Sequence, residues 1–128
     1  MKRYKIYRFR GWNKEKKDWI HGIIGSHSEG FPTKLIEAVC PVEPGSVGEY
    51  TGYRDYFGDM IYDGDILLQS DDVEDVLYTV HWDEDEERWG ADDERDGIDF
   101  SLEQIMHGGP TPEIVGNVWV RKAGELGQ

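Results

Sequence analysis

The sequence predicts a mainly β fold, with antiparallel sheets forming a small sandwich or barrel and one short helix near residues 101–107. Short apolar runs alternate with a period of two, as in half-buried strands. Glycine, proline and aspartate separate these runs at hairpin spacing, and only one segment carries a helix-start pattern. The length of 128 residues predicts a single domain, 1–128. We find no linker and no internal repeat.

The first predicted strand covers residues 4–12. Its alternation places Tyr7 and Phe9 on an apolar face and Arg8 and Arg10 on a polar face. The polar run 13–18 follows, and it separates this strand from a second apolar run.

That second run, residues 19–24, predicts a hairpin with a longer loop. Residues 25–30 are then expected to form a further loop. The segment 34–40 fits either a strand or a short helix, and the surrounding prolines favour the shorter element.

In the middle of the chain, glycines between residues 45 and 52 make a long helix unfavourable, and residues 53–58 predict a turn. Two apolar arms follow, 60–62 and 65–68, around Asp63-Gly64. Asp-Gly suits a tight hairpin turn because glycine tolerates positive φ and aspartate bonds its own backbone.

The clearest strand is residues 76–82. The acidic run 83–87 must then lie in solvent, since unpaired carboxylates are too costly to bury, and residues 88–91 are expected to return as the partner strand. One face of the 76–82 strand carries four large apolar side chains: Val76, Tyr78, Val80 and Trp82.

The C-terminal part begins with Ser101-Leu-Glu-Gln104, which matches a capping box. It predicts a helix from Leu102 to about His107, ended by the Gly-Gly-Pro that follows. Residues 113–120 read as a dense strand, and residues 121–128 as a frayed end.

Charge is distributed unevenly along the chain, whose net charge is −13. Residues 1–17 hold eight Lys or Arg and one Glu, a charge of +7, which leaves −20 on residues 18–128. An acidic body repels nucleic acid and anionic membranes. A single cysteine, Cys40, permits no internal disulfide, and no apolar run is long enough to span a membrane. We therefore expect a cytoplasmic protein of a bacterial host cell that neither binds nucleic acid nor associates with a membrane.

Four stretches, kept in order, together resemble the YopX-like proteins of phages and prophages: RFRGWNKEKKDW, VGEYTGYRDYFGDMIYDGDIL, YTVHWDED and EIVGNVW. The chain departs from that pattern at Tyr53 and Tyr56-Phe57 and in its many aspartates between residues 83 and 96. The resemblance implies a mobile-element origin, a β-rich fold and a tendency to assemble. It carries over no activity and no catalytic residue.

Three carboxylates, Asp59, Asp63 and Asp65, are the weak candidates for a metal or acid–base site. We expect Asp59 and Asp63 to be turn residues and Asp65 to begin a strand, since turn chemistry accounts for this stretch without a ligand. No histidine spacing matches a zinc motif. We predict no metal, no cofactor and no catalytic residue.

One basic, aromatic combination stands out as the candidate partner-binding surface. It could stack on single-stranded nucleic acid, but the acidic body opposes a polyanion, and its rings also suit the buried face of a strand. Its members are Arg8, Arg10, Trp12, Lys14, Lys16, Lys17 and Trp19.

The function predicted from the sequence is therefore non-enzymatic binding or assembly by a small phage-derived protein. We expect a homo-oligomer, or a complex with a host or phage protein, in which the basic hairpin contacts an acidic surface. Two alternatives stay open: an acidic mimic of nucleic acid that blocks a host DNA-binding protein, and a small metal-dependent hydrolase.

Overall fold

The computed structural model describes residues 6–25, 42–43 and 45–120. Its chain divides into two compact units, 1–50 and 51–128, and the one-domain organisation stays a prediction. The mainly β, antiparallel fold is confirmed. The described residues form nine strands and the helix α1: β1 Ile6–Asn13, β2 Asp18–Gly25, β3 Gly48–Arg54, β4 Met60–Tyr62, β5 Asp65–Ser70, β6 Asp75–Asp83, β7 Arg88–Asp93, β8 Asp99–Ser101, α1 Leu102–His107 and β9 Glu113–Asn117.

The first unit is built on the predicted hairpin of β1 and β2. The loop has four residues, with Asn13 paired to Asp18 across it, and the other edge of β1 pairs with the start of β3. The predicted polar face of β1 is wrong at one position. Arg10 is only 8% exposed, because its guanidinium lies 3.9 Å from the centre of the Trp19 ring.

The second unit holds a five-stranded antiparallel sheet in the order β8-β7-β6-β5-β9. Val76, Tyr78 and Val80 are buried as predicted, whereas Trp82, near the end of β6, is 45% exposed. The prediction of β7 is confirmed, and the strand runs two residues further. The core combines apolar side chains from one face of this sheet with those of β4 and the helix: Ile61, Leu67, Val76, Tyr78, Val80, Ala91, Leu102 and Ile105.

The Asp63-Gly64 turn is confirmed, but the predicted hairpin is wrong. Its arms do not pair with each other: β4 is the edge strand beside β3, and β5 lies between β6 and β9. The turn is a corner between sheets, where Gly64 (φ +85°) donates to the Val80 carbonyl and accepts from the Val118 amide, both at 2.9 Å. The turn predicted for residues 53–58 also starts later, since β3 continues to Arg54.

Helix α1 has the predicted bounds and the predicted capping box. The Ser101 hydroxyl accepts from the Gln104 amide, the Gln104 side chain accepts from the Ser101 amide, and Gly108 ends the helix.

The strand predicted for residues 113–120 is too long. It ends at Asn117, and residues 118–120 are helical. The Asn117 side chain explains the change, because its oxygen accepts from the Trp119 amide at 2.7 Å, as an N-cap residue does.

The predictions for residues 26–30, 34–40 and 121–128 lie outside the described residues. Within the described ranges, no helix is both long and apolar enough to cross a membrane.

Candidate functional site

The hairpins β1–β2 and β6–β7 have the same loop geometry. Each joins its strands by four residues, and tryptophans face each other one step inside the loop, Trp12 to Trp19 and Trp82 to Trp89. The fourth loop residue has positive φ in both, 53° at Lys17 and 51° at Glu87. The residue before each loop caps it alike: Asn13 accepts from the Lys16 amide at 2.7 Å, and Asp83 from the Glu86 amide at 3.2 Å.

The tryptophan pairs repeat this likeness. Ring centroids are 5.2 Å apart at an interplanar angle of 74° for Trp12 and Trp19, and 5.3 Å apart at 73° for Trp82 and Trp89. Such edge-to-face pairs stabilise a hairpin by about 0.5–1.5 kcal/mol beyond area burial. The expectation of no internal repeat is therefore wrong at the hairpin level. The sequence pattern that could have predicted this likeness is a pair of tryptophans with six residues between them, in WNKEKKDW and WDEDEERW.

The two loops differ in charge. Lys14–Lys17, the basic tip, holds three lysines and one glutamate, a net charge of +2; Glu84–Glu87, the acidic tip, holds four carboxylates, −4. All eight residues are exposed. One backbone frame thus presents opposite charges in two places.

The structure separates the predicted partner-binding residues into two groups. Lys14, Lys16 and Lys17 are exposed on the basic tip, and Arg8 is exposed further along β1. The others belong to the packed part of the hairpin: Arg10 is buried, and Trp12 and Trp19 are half-buried.

The carboxylates Asp59, Asp63 and Asp65 have different surroundings. Asp65 is 1% exposed and accepts from the Tyr62 amide at 2.8 Å and from the Asn117 side chain at 3.1 Å. Asp59 is exposed, and Asp63 is half-buried in the turn. Oxygens of these three do not meet as a set within 4.8 Å.

Asp55 is a structural carboxylate that sequence reasoning missed. One oxygen accepts from the amides of Phe57 and Asp59, both at 2.9 Å, and the other accepts from the Ile114 amide at 3.1 Å. The turn that follows presents Tyr56 and Phe57 at 67% and 68% exposure. They border an open groove of about 230 Å³, whose other lining residues are Leu68, Ser70, Pro110, Thr111 and Glu113.

The sequence holds three acidic clusters, 71–75, 83–87 and 92–96, and they do not all lie on one end of the sheet. The loop at 71–74 precedes β6 and the acidic tip follows it, and a nine-residue strand spans roughly 30 Å. Arg95 partly neutralises the acidic residues near the 71–74 loop, with ion pairs of 2.7 Å to Glu74 and 2.8 Å to Asp93. Hydrogen bonds from Arg95 hold the pKa of Asp93 below its ordinary value.

A cluster of one histidine and two aspartates, which the sequence analysis did not predict, lies on three adjacent strands. His81 of β6, Asp92 of β7 and Asp99 of β8 form the His-Asp-Asp cluster, with one ligand atom from each within 4.8 Å of the others. The His81 Nε2 atom lies 3.1 Å from an oxygen of each carboxylate. Among the described residues, no other group of three such side chains converges so closely.

Strand pairing produces this convergence. Register sets His81 opposite Gly90, and Asp92 opposite Asp99. Gly90 leaves the space that the cluster fills, since a Cβ there would lie 2.7 Å from both the Asp99 oxygen and His81 Nε2. From the sequence, only the loop length of the β6–β7 hairpin could have predicted the part of this register that sets His81 opposite Gly90.

The protonation of the cluster follows from its contacts. Burial lowers the pKa of His81, but the hydrogen bond to Asp99 and the contacts with Trp82 and Asp92 outweigh it and raise that pKa overall. Burial, followed by the neighbouring Asp99, raises the pKa of Asp92. Burial also acts to raise the pKa of Asp99, yet hydrogen bonds from His81 and Asp92 leave it lowered.

Comparison with known proteins gives a match to one family and no match among curated proteins. The family is described as YopX protein, and the match runs over residues 8–120, which include both tryptophan-flanked hairpins and the His-Asp-Asp cluster. Since the match covers most of the chain, this protein belongs to the YopX family.

Proposed function

We propose that this protein is a non-enzymatic, phage-derived binding and assembly protein of the bacterial cytoplasm, whose copies associate through the basic tip of one and the acidic tip of the next. The observation that carries the proposal is the pair of matched hairpins, equal in loop length and geometry and opposite in charge. Membership of the YopX family agrees with a phage-like origin.

The physical argument starts from charge complementarity. A tip of +2 and a tip of −4 attract each other and orient two copies before contact. Exposed ion pairs contribute only about 0.2–1 kcal/mol each and are screened by salt. The exposed part of Trp82, beside the acidic tip, offers the apolar area that must add to the affinity.

The geometry of such contacts decides the kind of assembly. A basic tip that binds an acidic tip joins two different surfaces. Two copies that make this contact reciprocally form a two-fold dimer, whereas contacts repeated head to tail produce a ring or an open chain of copies.

The test is sedimentation velocity, or light scattering after size exclusion, over a range of protein and salt concentrations. We expect association at low salt that weakens at high salt. Reversing the charge at one tip should abolish it, either with Lys14→Glu and Lys16→Glu, which change the basic tip from +2 to −2, or with Glu84→Lys, Asp85→Lys and Glu86→Lys, which change the acidic tip from −4 to +2. Combining both sets of substitutions should restore it.

The matched control for the acidic-tip reversal is Glu103→Lys with Asp72→Lys and Asp75→Lys, which changes net charge by the same +6 at exposed positions outside both tips. It should leave tip-dependent association in place. A monomer at every concentration, or an oligomer indifferent to both reversals, contradicts the proposal.

A further inference from the structure

We propose that His81, Asp92 and Asp99 form a binding site for one divalent first-row transition-metal ion, of which Zn²⁺ and Mn²⁺ are the probes. The site would be supported by the β6–β7–β8 part of the sheet and open to solvent. The inference goes beyond the assembly function and does not depend on it.

The spacing of the ligand atoms fits an ion. In zinc sites, nitrogen and oxygen ligands lie about 2.0–2.2 Å from the metal, so ligand atoms at angles of about 90–109° lie about 3.0–3.4 Å from each other. Nε2 of His81 lies 3.1 Å from Asp92 Oδ1 and 3.1 Å from Asp99 Oδ1. The two carboxylate oxygens lie within 4.8 Å of each other, so one ion can contact all three atoms after adjustment of the side chains.

The orientation of the imidazole is a second, independent observation. Its Nδ1 lies 3.2 Å from the Trp82 carbonyl oxygen, which can only accept, so Nδ1 carries a proton. Nε2 is then the ring atom that faces the two carboxylates, through a proton in the imidazolium or a lone pair in the neutral ring, and a metal ion can take the place of that proton. Metal-binding histidines characteristically donate their other ring N–H to a carbonyl or carboxylate in this way.

The surroundings allow an ion to enter and to stay. The three side chains are 34%, 43% and 33% exposed, so the cluster opens to solvent while rigid strands hold its backbone. The missing side chain at Gly90 provides the space beneath it. The chain's net charge of −13 favours cation approach.

The ligand set points to the class of ion. Imidazole suits zinc, iron and related metals, whereas magnesium and calcium prefer oxygen ligands alone. Two carboxylates with one imidazole favour Zn²⁺ or Mn²⁺ over the softer ions that thiolates select. Three protein ligands leave at least one coordination position for water.

The test titrates the full chain with ZnCl₂, MnCl₂ and MgCl₂ by isothermal calorimetry and follows the melting temperature with each ion. We expect one Zn²⁺ or Mn²⁺ per chain, a higher melting temperature with that ion, and weaker binding of Mg²⁺. Loss of an outer-shell partner of a metal ligand costs about tenfold in affinity or more. His81→Gln and Asp99→Asn each remove a ligand itself, so each should reduce the affinity by at least that factor.

Gly90→Ala is the sharpest variant, since it keeps all three ligands and fills the space beneath them. It should abolish the metal-dependent rise in melting temperature while the metal-free chain retains its circular dichroism spectrum. His107→Gln, which removes an exposed histidine of α1, is the matched control and should bind as the original chain does. Absence of one-to-one binding, or binding that survives both His81→Gln and Gly90→Ala, overturns the proposal.

Discussion

The aspartates at the turns of this protein stabilise its backbone. Asp55, Asp65 and Asp93 are nearly buried, at 6%, 1% and 4% exposure, and each accepts at least one backbone N–H. Buried carboxylates are stable only when such donors surround them. In a chain with many exposed acidic residues, these three are distinguished by position and not by sequence context.

Replacement of Asp65 by alanine should destabilise the second unit strongly. The change leaves the Tyr62 amide and the Asn117 side chain without an acceptor that each now uses. Unsatisfied buried groups cost about 1–3 kcal/mol each, so we expect a loss of about 2–4 kcal/mol in the free energy of unfolding. Urea denaturation measures it.

The control for that measurement is Asp72→Ala, an exposed aspartate in the loop between β5 and β6. Its substitution should change stability by no more than about 0.5 kcal/mol. Equal effects at Asp65 and Asp72 would contradict the structural role of Asp65.

At the scale of elements, the matched hairpins β1–β2 and β6–β7 show that local sequence determines the loop conformation without determining the charge on its surface. The loop length, the capping residue and the tryptophan pair recur, while lysines stand in one loop and carboxylates in the other. The frame therefore tolerates either sign of charge.

Exchange of the two loop sequences, KEKK for EDEE and the reverse, should leave the fold intact. Each loop already adopts the same conformation, including positive φ at its fourth residue. Exposed substitutions usually change stability by about 0.5 kcal/mol or less, so we expect a melting temperature within about 8 °C of the original by thermal circular dichroism.

Deletion of Glu86 provides the contrast to that exchange. It shortens the loop and shifts the register, so that Trp82 no longer faces Trp89. The melting temperature should fall well below that of the exchanged chain. An equal fall in melting temperature for the deletion and the exchange would show that the charges of the loop, and not its length and register, stabilise the hairpin.

Local signals predicted the elements that depend on neighbours in sequence. The period of two identified β1 and β6, and the Ser101–Gln104 box located α1. The sequence did not predict that Asp65 is buried or that Asp92 and Asp99 meet His81. Those arrangements depend on β5 pairing with β9 and β7 with β8, and strand order between distant segments has no local signature.

At the scale of the whole molecule, the last described strand completes the second unit. β9 covers one edge of β5, and Ile114 and Asn117 donate to the buried carboxylates of Asp55 and Asp65. Loss of β9 would therefore expose an unpaired strand edge and remove donors from two buried charges.

A chain that ends at Pro112 should lose cooperative unfolding and aggregate. Size exclusion and thermal circular dichroism measure both effects. Val115→Ser, a change at a 49% exposed position of β9, keeps the strand and should leave a single cooperative transition. A truncated chain that melts like the original would show that β9 is dispensable.

The pairing of Asp65 with Asn117 also has a consequence for biosynthesis. The two residues are 52 positions apart, and ribosomes add about 5–20 residues per second, so the carboxylate waits on the order of several seconds for its donor. Throughout that interval the nascent polypeptide holds β5 with one side uncovered. Translation speed and chaperone capture in this window therefore bear on how much folded protein a cell obtains.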